Sequence, residues 1–361
     1  MKNVLVTGGC GFIGSNFIHY LYHQDSSVRI YNIDSLTYAG SQKNLADLKG
    51  NPRYTFIHGD ICDSDLVERV LLESNIDTIV HFAAETHVDR SIYGPEAFIH
   101  TNILGTFRLL EAAKKVWHAQ SDGYYAGYRF HHISTDEVYG SLMPQEQAFL
   151  ETTPYMPNSP YSASKASSDH LVRAYWHTYH IPVTISNCSN NYGPYQYPEK
   201  LIPLVILNAA KGVSLPVYGD GQQIRDWLYV EDHCEAIYRI LIDGRIGETY
   251  NIGGNTQKAN LEVIRSICTI LDQLLPDSAH VPHEKLIQFV EDRPGHDRRY
   301  AIDCTKLVNE LDWAPSTTYA EGIAKTVAWY LEHQEWVAEM FSRKDYRVWI
   351  EKNYAQRGED K

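Results

Sequence analysis

Val4-Leu5-Val6-Thr7-Gly8-Gly9-Cys10-Gly11-Phe12-Ile13-Gly14 begins as an apolar run, continues through three spaced glycines and leads into an amphipathic segment. This order predicts a buried β-strand, a tight turn and a helix that runs to about His23. The bare backbone at glycines 8, 11 and 14 could approach a pyrophosphate, which the helix amino terminus would then bind. Taken alone, the pattern is equally consistent with an ordinary tight turn.

An acidic residue at the end of the second predicted strand favours the dinucleotide interpretation. Residues 28–33 form that strand, and Asp34 follows Gly14 by the roughly twenty residues typical of such folds. A carboxylate there would accept hydrogen bonds from the adenosine ribose hydroxyls and repel a 2′-phosphate. The sequence therefore predicts NAD, and not NADP, as the cofactor.

Further strands and helices alternate up to about residue 190. Residues 54–58 and 77–82 are predicted strands, and residues 95–117 are predicted as one long amphipathic helix. Asp60, just after the third strand, could either reach an adenine or cap the next helix, and the sequence leaves both open. The alternation predicts the α/β class with a doubly wound parallel Rossmann sheet.

Two adjacent carboxylates, Asp136 and Glu137, follow an apolar run at residues 130–133 and precede Gly140. Neighbours on a strand point to opposite faces, so the pair can serve one substrate only where the strand gives way to a turn. That end of a parallel sheet is where α/β folds bind ligands. Two carboxylates in one site can divide acid and base roles, which is what a dehydration requires.

A tyrosine and a lysine four residues apart, Tyr161 and Lys165, follow the carboxylates. If Tyr161 opens a helix, both side chains lie on one face, and the ammonium would lower the pKa of the phenol. An unperturbed tyrosine has a pKa of about 10, so its ionisation at pH 7 costs about 4 kcal/mol without such a cation. The spacing therefore predicts a phenol base assisted by Lys165.

Composition excludes several classes of protein. The chain has 361 residues, 43% of them hydrophobic, which is enough for one large or two modest domains. Its net charge of −13 argues against nucleic acid or an anionic membrane as a partner. The six cysteines form no C-x-x-C pair, so neither a zinc site nor a disulfide framework is expected, and no metal is predicted. A start without a signal sequence or an apolar span fits the cytoplasm.

The regular alternation ends after a sixth predicted strand at residues 183–187. Proline, glycine and aromatic residues then become frequent. We expect residues 1–190 to form the NAD-binding domain, with some later elements returning to it, and residues 191–361 to form mainly a smaller, interleaved substrate-binding lobe. The predicted elements of this lobe are helices at residues 202–211, 231–242, 261–275, 305–311 and 318–333 and a strand at residues 225–230. Arginines in this half, Arg293 beside a Pro-Gly turn above all, suit a phosphate, although a solvated surface role fits each one singly.

Over its whole length the chain resembles the extended short-chain dehydrogenase/reductases and, within them, the dTDP-glucose 4,6-dehydratases. The resemblance rests on residues 7–14, 34–40, 134–140, 160–165, 187–194, 198–203, 225–227 and 292–296. The glycine turn and Tyr-x-x-x-Lys belong to the whole superfamily. Thr135-Asp136-Glu137 is more specific, because related epimerases carry small or hydroxyl residues in place of the two carboxylates. Thr86 stands where serine is expected and keeps the hydroxyl.

The resemblance implies an internal oxidation and reduction of dTDP-glucose. Tyr161, assisted by Lys165 and Thr135, would take the C4 hydroxyl proton while hydride passes from C4 to NAD. Glu137 would then remove the C5 proton as Asp136 protonates the departing C6 hydroxyl, and hydride would return to C6. The product would be dTDP-4-dehydro-6-deoxyglucose, an intermediate of deoxysugar synthesis of the dTDP-rhamnose type. The family also implies a homodimer formed through the helices near residues 95 and 161.

The same resemblance implies two sets of binding residues. The NAD set is Gly8, Gly11, Phe12, Ile13, Gly14, Asp34, Ser35, Leu36, Thr37, Asp60, Ile61, Ala83, Ala84, Glu85, Thr101, Tyr161, Lys165 and Asn191. The nucleotide-sugar set is Thr86, Thr135, Asn190, Lys200, Leu201, Pro216, Val217, Tyr218, Arg225, Asn260, Asp292, Arg293 and His296.

Two other functions are weighed against this one. A nucleotide-sugar 4-epimerase, or a dehydratase of another nucleotide sugar, would share the fold, and the carboxylate pair argues against the epimerase. A non-catalytic NAD-binding regulator has no reason to retain all five of the proposed catalytic residues, Thr135, Asp136, Glu137, Tyr161 and Lys165.

Overall fold

A seven-stranded parallel sheet forms the centre of the protein in a computed structural model that describes residues 1–121, 123 and 125–350. The strands are β1 Asn3–Thr7, β2 Arg29–Asp34, β3 Tyr54–His58, β4 Thr78–His81, β5 Arg129–Thr135, β6 Val183–Cys188, β7 Asn190–Tyr192, β8 Leu215–Tyr218, β9 Ile224–Tyr229, β10 Thr249–Ile252, β11 Gln257–Ala259 and β12 Ile287–Val290. The large sheet has the order β10-β6-β5-β4-β1-β2-β3, and all its neighbours pair in parallel. The predicted doubly wound α/β sheet is confirmed.

Helices cover both faces of this sheet. They are α1 Phe12–Gln24, α2 Ser64–Glu73, α3 Val88–Tyr93, α4 Glu96–Phe98, α5 Thr106–Ser121, α6 Pro160–Tyr179, α7 Leu201–Ala210, α8 Val230–Asp243, α9 Asn260–Leu274, α10 Thr305–Leu311, α11 Tyr319–Glu332, α12 Gln334–Ser342 and α13 Lys344–Ile350. Apolar residues of α1, α8 and α10 share one core with the sheet, and those of α2, α5 and α6 share another. Because both faces are covered, every residue of β4 and β6 is buried, including the polar ones.

The turn between β1 and α1 requires glycine. Gly8 has φ +69°, and a Cβ there would lie 2.7 Å from backbone atoms of Ala83. A Cβ on Gly14 would lie 2.4 Å from the Gly8 carbonyl oxygen. The backbone therefore folds tightly enough to direct the amino terminus of α1 towards the carboxyl ends of the strands.

The predicted single helix at residues 95–117 is wrong in detail. A short turn, α4, is followed by a π-helix at Ile99–Gly105 and then by α5. Asn102 explains the irregularity, because its side-chain amide donates to the Glu85 carbonyl oxygen (3.0 Å) and accepts from the Glu85 N–H (2.8 Å). It also donates to Ser164 Oγ of α6 (2.8 Å). Apolar spacing does not reveal such a widened turn, because its hydrogen bonds depend on residues distant in the sequence.

The second half of the chain builds a further core. Strands β7, β9 and β11 form one small sheet, β8 and β12 form another, and α7, α9, α11 and α12 pack around them. Three elements join the large sheet instead: β10 pairs with β6, and α8 and α10 pack on the core beside α1. None of the helices in the described ranges is long and apolar enough to traverse a bilayer.

The last helices hold the segment that follows β2. Trp336 Nε1 of α12 donates to Asn44 Oδ1 (2.8 Å), and Lys43 pairs with Glu339 (2.5 Å). Beyond α12, Arg343 donates to the carbonyl oxygens of Tyr38 (3.1 Å) and Gly40 (2.8 Å). The carboxyl-terminal region thereby fixes residues 38–44 against the rest of the fold.

Candidate active site

A cavity of about 390 Å³ opens at the carboxyl ends of the parallel strands. Its walls come from the glycine turn after β1, the ends of β2, β4, β5 and β6, and the first turns of α6. Every member of the predicted NAD set lines it except Leu36, whose side chain packs against the neighbouring core. The fold therefore brings predicted residues from seven separate segments of the chain to one cavity.

Asp34 is held in place at the end of β2 by two backbone groups. Its Oδ2 accepts from the Cys10 N–H (2.8 Å), and its Oδ1 accepts from the Leu36 N–H (2.7 Å). Burial raises the pKa of this carboxyl, and both hydrogen bonds oppose that rise. A fixed acidic group beside a glycine turn and a helix amino terminus fits NAD, because the turn accommodates the pyrophosphate and the carboxylate suits a free ribose.

Asp60 belongs to the cavity and not to a helix cap. Its Oδ1 accepts from the Cys62 N–H (2.8 Å), whereas α2 is capped by Asp63, which accepts from the Leu66 N–H (3.0 Å). Since Asp60 lines the cavity, the structure favours the first of the two roles left open by the sequence.

Asp136 and Glu137 lie beyond the end of β5, as expected. The strand stops at Thr135, and residues Asp136–Tyr139 form a 3₁₀ turn that brings both carboxyl groups to the cavity. Asp136 is 2% exposed, and its Oδ2 finds no hydrogen-bond partner within the described part of the chain. Burial raises the pKa of Asp136 well above its ordinary value, and the charges of Glu137 and Asp226 raise it further. Burial and these two acidic neighbours therefore favour the protonated form of Asp136.

Glu137 has a different electrostatic environment from its neighbour. Burial raises its pKa, but the positive charges of Arg293, Arg225 and Lys200 oppose this rise. The charges that act on these two consecutive carboxyl groups therefore differ. Acidic neighbours raise the pKa of Asp136, whereas three cations oppose the rise in the pKa of Glu137. This difference allows one to act as an acid and the other as a base.

Tyr161 lies in the first turn of α6, where Ser159 caps the helix by accepting from the Ser162 N–H (3.0 Å). Burial raises the pKa of Tyr161 well above its ordinary value, and the charge of Glu137 raises it further, while a hydrogen bond with Thr135 lowers it. Lys165 Nζ donates to the Ile133 carbonyl oxygen (2.7 Å). The expected lowering by Lys165 is therefore not a main influence on this pKa, which is a correction to the sequence interpretation.

Members of the predicted nucleotide-sugar set surround Glu137. Thr86, Thr135, Asn190 and Lys200 line the cavity, and Lys200 Nζ donates to the Thr86 carbonyl oxygen (3.2 Å). The remaining members lie outside the cavity lining: Leu201, Pro216, Val217, Tyr218, Arg225, Asn260, Asp292, Arg293 and His296. Val217 is 1% exposed and packs in the core of the second half of the chain.

Two arginines of that outer group are fixed by partners. Arg293 pairs with the buried Asp89 (2.9 Å). Arg225 donates to the carbonyl oxygens of Ile224 (2.8 Å) and Asp297 (3.0 Å), and its guanidinium lies 4.3 Å from the centre of the Tyr300 ring. Both charges act on Glu137, so the arginines adjoin the cavity at the catalytic end.

Comparison with known proteins gives the family. The family model described as GDP-mannose 4,6 dehydratase matches residues 5–326. A dTDP-glucose 4,6-dehydratase of Xanthomonas campestris pv. campestris (strain B100) is 58% identical over 337 residues, which are 93% of this chain and 95% of the relative. The chain belongs to the dTDP-glucose 4,6-dehydratase family.

Solved structures agree with this membership in the dTDP-glucose 4,6-dehydratase family. The enzyme of Bacillus anthracis str. Ames, in complex with NAD, has a TM-score of 0.83 and 46% identity over 94% of this chain and 100% of its own. A UDP-glucose 4-epimerase of Thermotoga maritima is more distant, at a TM-score of 0.80 and 26% identity over 92% of this chain and 99% of its own. The fold is shared with epimerases, and the sequence lies closer to the dehydratases.

Several residues that line the cavity were not predicted from the sequence. Tyr38, Gln196, Tyr197 and Glu199 line it. Glu199 is 4% exposed and accepts from Arg90 Nε (3.0 Å). Tyr38 and Glu199 lie inside the stretches 34–40 and 198–203 that carried the resemblance, so the signal was present. Nothing local in the sequence marks Arg90 as the partner of Glu199, because 109 positions separate them.

A buried group behind Lys165 was also missed. Asp169, one turn further along α6, accepts from Ser134 Oγ (2.7 Å) and lies 3.1 Å from His132 Nε2. Burial raises the pKa of Asp169 to about 6, and the positive charge of Lys165 lowers it. In turn Asp169 raises the pKa of Lys165 against the effect of burial. Asp169 is thus the counter-charge of the buried ammonium.

Proposed function

We propose that the protein is an NAD-dependent dTDP-glucose 4,6-dehydratase, a hydro-lyase that forms dTDP-4-dehydro-6-deoxyglucose and water for deoxysugar biosynthesis. The observation that carries the proposal is the pair Asp136 and Glu137 at one cavity. Burial and acidic neighbours raise the pKa of Asp136, whereas three cations oppose the effect of burial on the pKa of Glu137. A dehydration needs one group of each kind.

Tyr161 and Thr135 act at the C4 hydroxyl of the sugar. The phenol of Tyr161 is buried beside Thr135 and interacts with it. When bound, NAD supplies the reversible oxidation of the sugar and a positive charge in this cavity. Tyr161 accepts the C4 hydroxyl proton as its phenolate, a form that the hydrogen bond with Thr135 and the positive charge of bound NAD favour against the effect of burial. Lys165, with Asp169 as its counter-charge, supports the phenol from the same helix.

Elimination of water is the work of the two carboxyl groups. Once C4 is a ketone, the proton on C5 becomes acidic, and Glu137 removes it. Burial raises the pKa of Glu137, and the positive charges of Arg293, Arg225 and Lys200 oppose that rise, which favours the ionised form needed for this step. Asp136, already protonated, gives its proton to the C6 hydroxyl as that group leaves. Glu137 thus takes up one proton and Asp136 gives one up, and both residues lie in the same 3₁₀ turn.

The nucleotide is bound by the second half of the chain. We assign the NAD-binding domain to residues 1–190, joined by later elements such as β10, and mainly the nucleotide-sugar lobe to residues 191–361. Arg225 suits the diphosphate because it is buried and fixed by backbone carbonyl groups. A planar guanidinium held in this way matches phosphate oxygens.

A labelled substrate tests the function. Purified protein is incubated with dTDP-glucose that carries deuterium at C4, without added cofactor, and the product is analysed by mass spectrometry. The expected result is a 4-keto-6-deoxy product with the label on C6. Return of the label to C4 with inversion would instead identify an epimerase, and a parallel incubation with UDP-glucose and GDP-mannose tests the choice of nucleotide.

We also propose a cytoplasmic homodimer built through the helices near residues 95 and 161. Two large apolar side chains support this interface: Ile99 is 56% exposed and Tyr179 is 44% exposed. Light scattering should give twice the chain mass of 41.3 kDa. Replacement of Ile99 and Tyr179 by lysine should shift the measured mass towards that of a single chain.

A further inference from the structure

Three potential metal ligands meet at the rim of the cofactor cavity. Asp60, Cys62 and His100 each offer one ligand atom, and these atoms lie within 4.8 Å of one another. The pair Cys62 and His100 is 38 positions apart in the chain, so the cysteine spacing gave no sign of a site. The fold brings them together because the turn before α2 lies beside the π-helix that carries His100.

The distance between sulfur and nitrogen already suits a bound ion. Zinc bonds of about 2.3 Å to sulfur and 2.0 Å to nitrogen at a tetrahedral angle place those two ligand atoms about 3.5 Å apart. Cys62 Sγ and His100 Nδ1 are 3.6 Å apart. The carboxylate of Asp60 needs to move by only about 1 Å to complete the same tetrahedral spacing.

Local contacts hold the ligands before any ion binds. Asp60 Oδ1 accepts from the Cys62 N–H (2.8 Å), which keeps the carboxylate close to the cysteine. Cys62 Sγ also lies 3.5 Å from the His100 carbonyl oxygen, so the thiol faces the π-helix. Among the six cysteines, all of them in described positions, Cys62 alone is not buried. The thiol can therefore be reached from solvent.

We propose that Asp60, Cys62 and His100 bind Zn²⁺ or a similar thiophilic divalent cation, with water as a fourth ligand. Thiolate, imidazole and carboxylate together select such ions over Mg²⁺ and Ca²⁺, which require oxygen ligands. The thiolate and the carboxylate supply two negative charges that balance the ion.

Occupation of the site alters the cofactor cavity, a consequence that rests on the proposed use of NAD. Asp60 belongs both to the ligand cluster and to the cavity lining. A carboxylate drawn to the ion is no longer free to meet the adenosine half of the dinucleotide. By linkage, the cation and NAD each weaken the binding of the other by one common factor.

Cadmium and zinc titrations test the metal site directly. Cd²⁺ added to the purified protein should produce the ultraviolet thiolate-to-cadmium charge-transfer band, and calorimetry with Zn²⁺ should give one site per chain. Cys62→Ser should abolish the band, and both Cys62→Ser and His100→Ala should weaken Zn²⁺ binding by about tenfold or more. His118→Ala is the matched control, because His118 is exposed on the adjoining α5. Unchanged Zn²⁺ affinity in both ligand variants would overturn the site.

The coupling to NAD needs a separate measurement. Zn²⁺ affinity is compared in protein stripped of nucleotide and in the same protein saturated with NAD. A weaker affinity with NAD supports the shared role of Asp60, and equal affinities would overturn it while leaving the metal site intact. Because these titrations do not require turnover, their failure is distinguishable from failure of the proposed function.

Discussion

Replacement of Glu137 by glutamine isolates the elimination step from the oxidation. Glutamine has the shape of glutamate, so the cavity keeps its contacts, but it cannot remove a proton from C5. One general acid or base contributes about 10²- to 10⁴-fold in rate, so the barrier should rise by about 3 to 5 kcal/mol. Glu137 also raises the pKa of Tyr161 and Asp136, so both pKa values should fall in the variant.

That second effect separates the two halves of the reaction. With the pKa of Tyr161 lowered, proton removal from the C4 hydroxyl is not impaired, and oxidation at C4 should persist while loss of water fails. The expected signature is absorbance of the reduced nicotinamide that accumulates with substrate and does not decay at the wild-type rate. In D₂O the variant should incorporate little deuterium at C5, whereas the wild type incorporates it in every turnover.

Controls for this variant are available in the same chain. Glu335→Gln changes an exposed glutamate of α12 and should leave turnover unchanged. NAD content and the unfolding midpoint of both variants should match the wild type. Turnover of Glu137→Gln within about tenfold of wild type, with normal exchange at C5, would refute the base role.

Three further outcomes follow from buried charges. Because Asp34 would face a 2′-phosphate, calorimetry should find NADP binding far weaker than NAD, and equal affinities would contradict this. Asp169→Asn removes the counter-charge of Lys165, whose pKa should fall, so kcat should decline at lower pH than in wild type with KM little changed. Ser167→Ala, on the same helix, removes a hydroxyl that donates to the Ala163 carbonyl oxygen and should not shift the profile, and coincident profiles of Asp169→Asn and wild type would contradict the role. Burial lowers the pKa of His233 to about 3, so the unfolded chain binds a proton as pH falls below about 6.5 and stability drops, by about 2 kcal/mol between pH 7 and pH 5. In urea titrations, the unfolding free energy of His233→Gln should fall by about 2 kcal/mol less than that of the wild type between pH 7 and pH 5. An equal fall in both proteins would exclude this role of His233.

Local sequence patterns placed most strands and turns of the first half of the chain. The glycine turn after β1, the strand β3 and the carboxylates past β5 were each placed by signals that lie within a few residues: apolar runs, glycines and the residues that follow them. Such signals are strong because backbone sterics and strand length depend on neighbouring residues. The same reasoning found the short helix α10 at its observed bounds.

Long-range pairs were beyond this reasoning. Arg293 meets Asp89 across 204 positions, and Arg90 meets Glu199 across 109. No periodicity or local preference encodes such partners, because these contacts form only when segments distant in the sequence pack together. The π-helix before α5 is a similar case, since Asn102 forms it by bonding to a strand end and to another helix. The electrostatics of Tyr161 likewise depended on burial that four-residue spacing does not reveal.

The hydrogen bonds between the carboxyl-terminal region and residues 38–44 bear on the release of the cofactor from its cavity. A catalyst that oxidises and then reduces the same molecule has no use for exchange with the dinucleotide pool of the cell. Outward movement of residues 38–44 must first break the bonds from Trp336 and Arg343. Residues outside the span of the family model, far along the chain from any atom that reacts, thus hold one wall of the cofactor cavity, residues 38–40, in place.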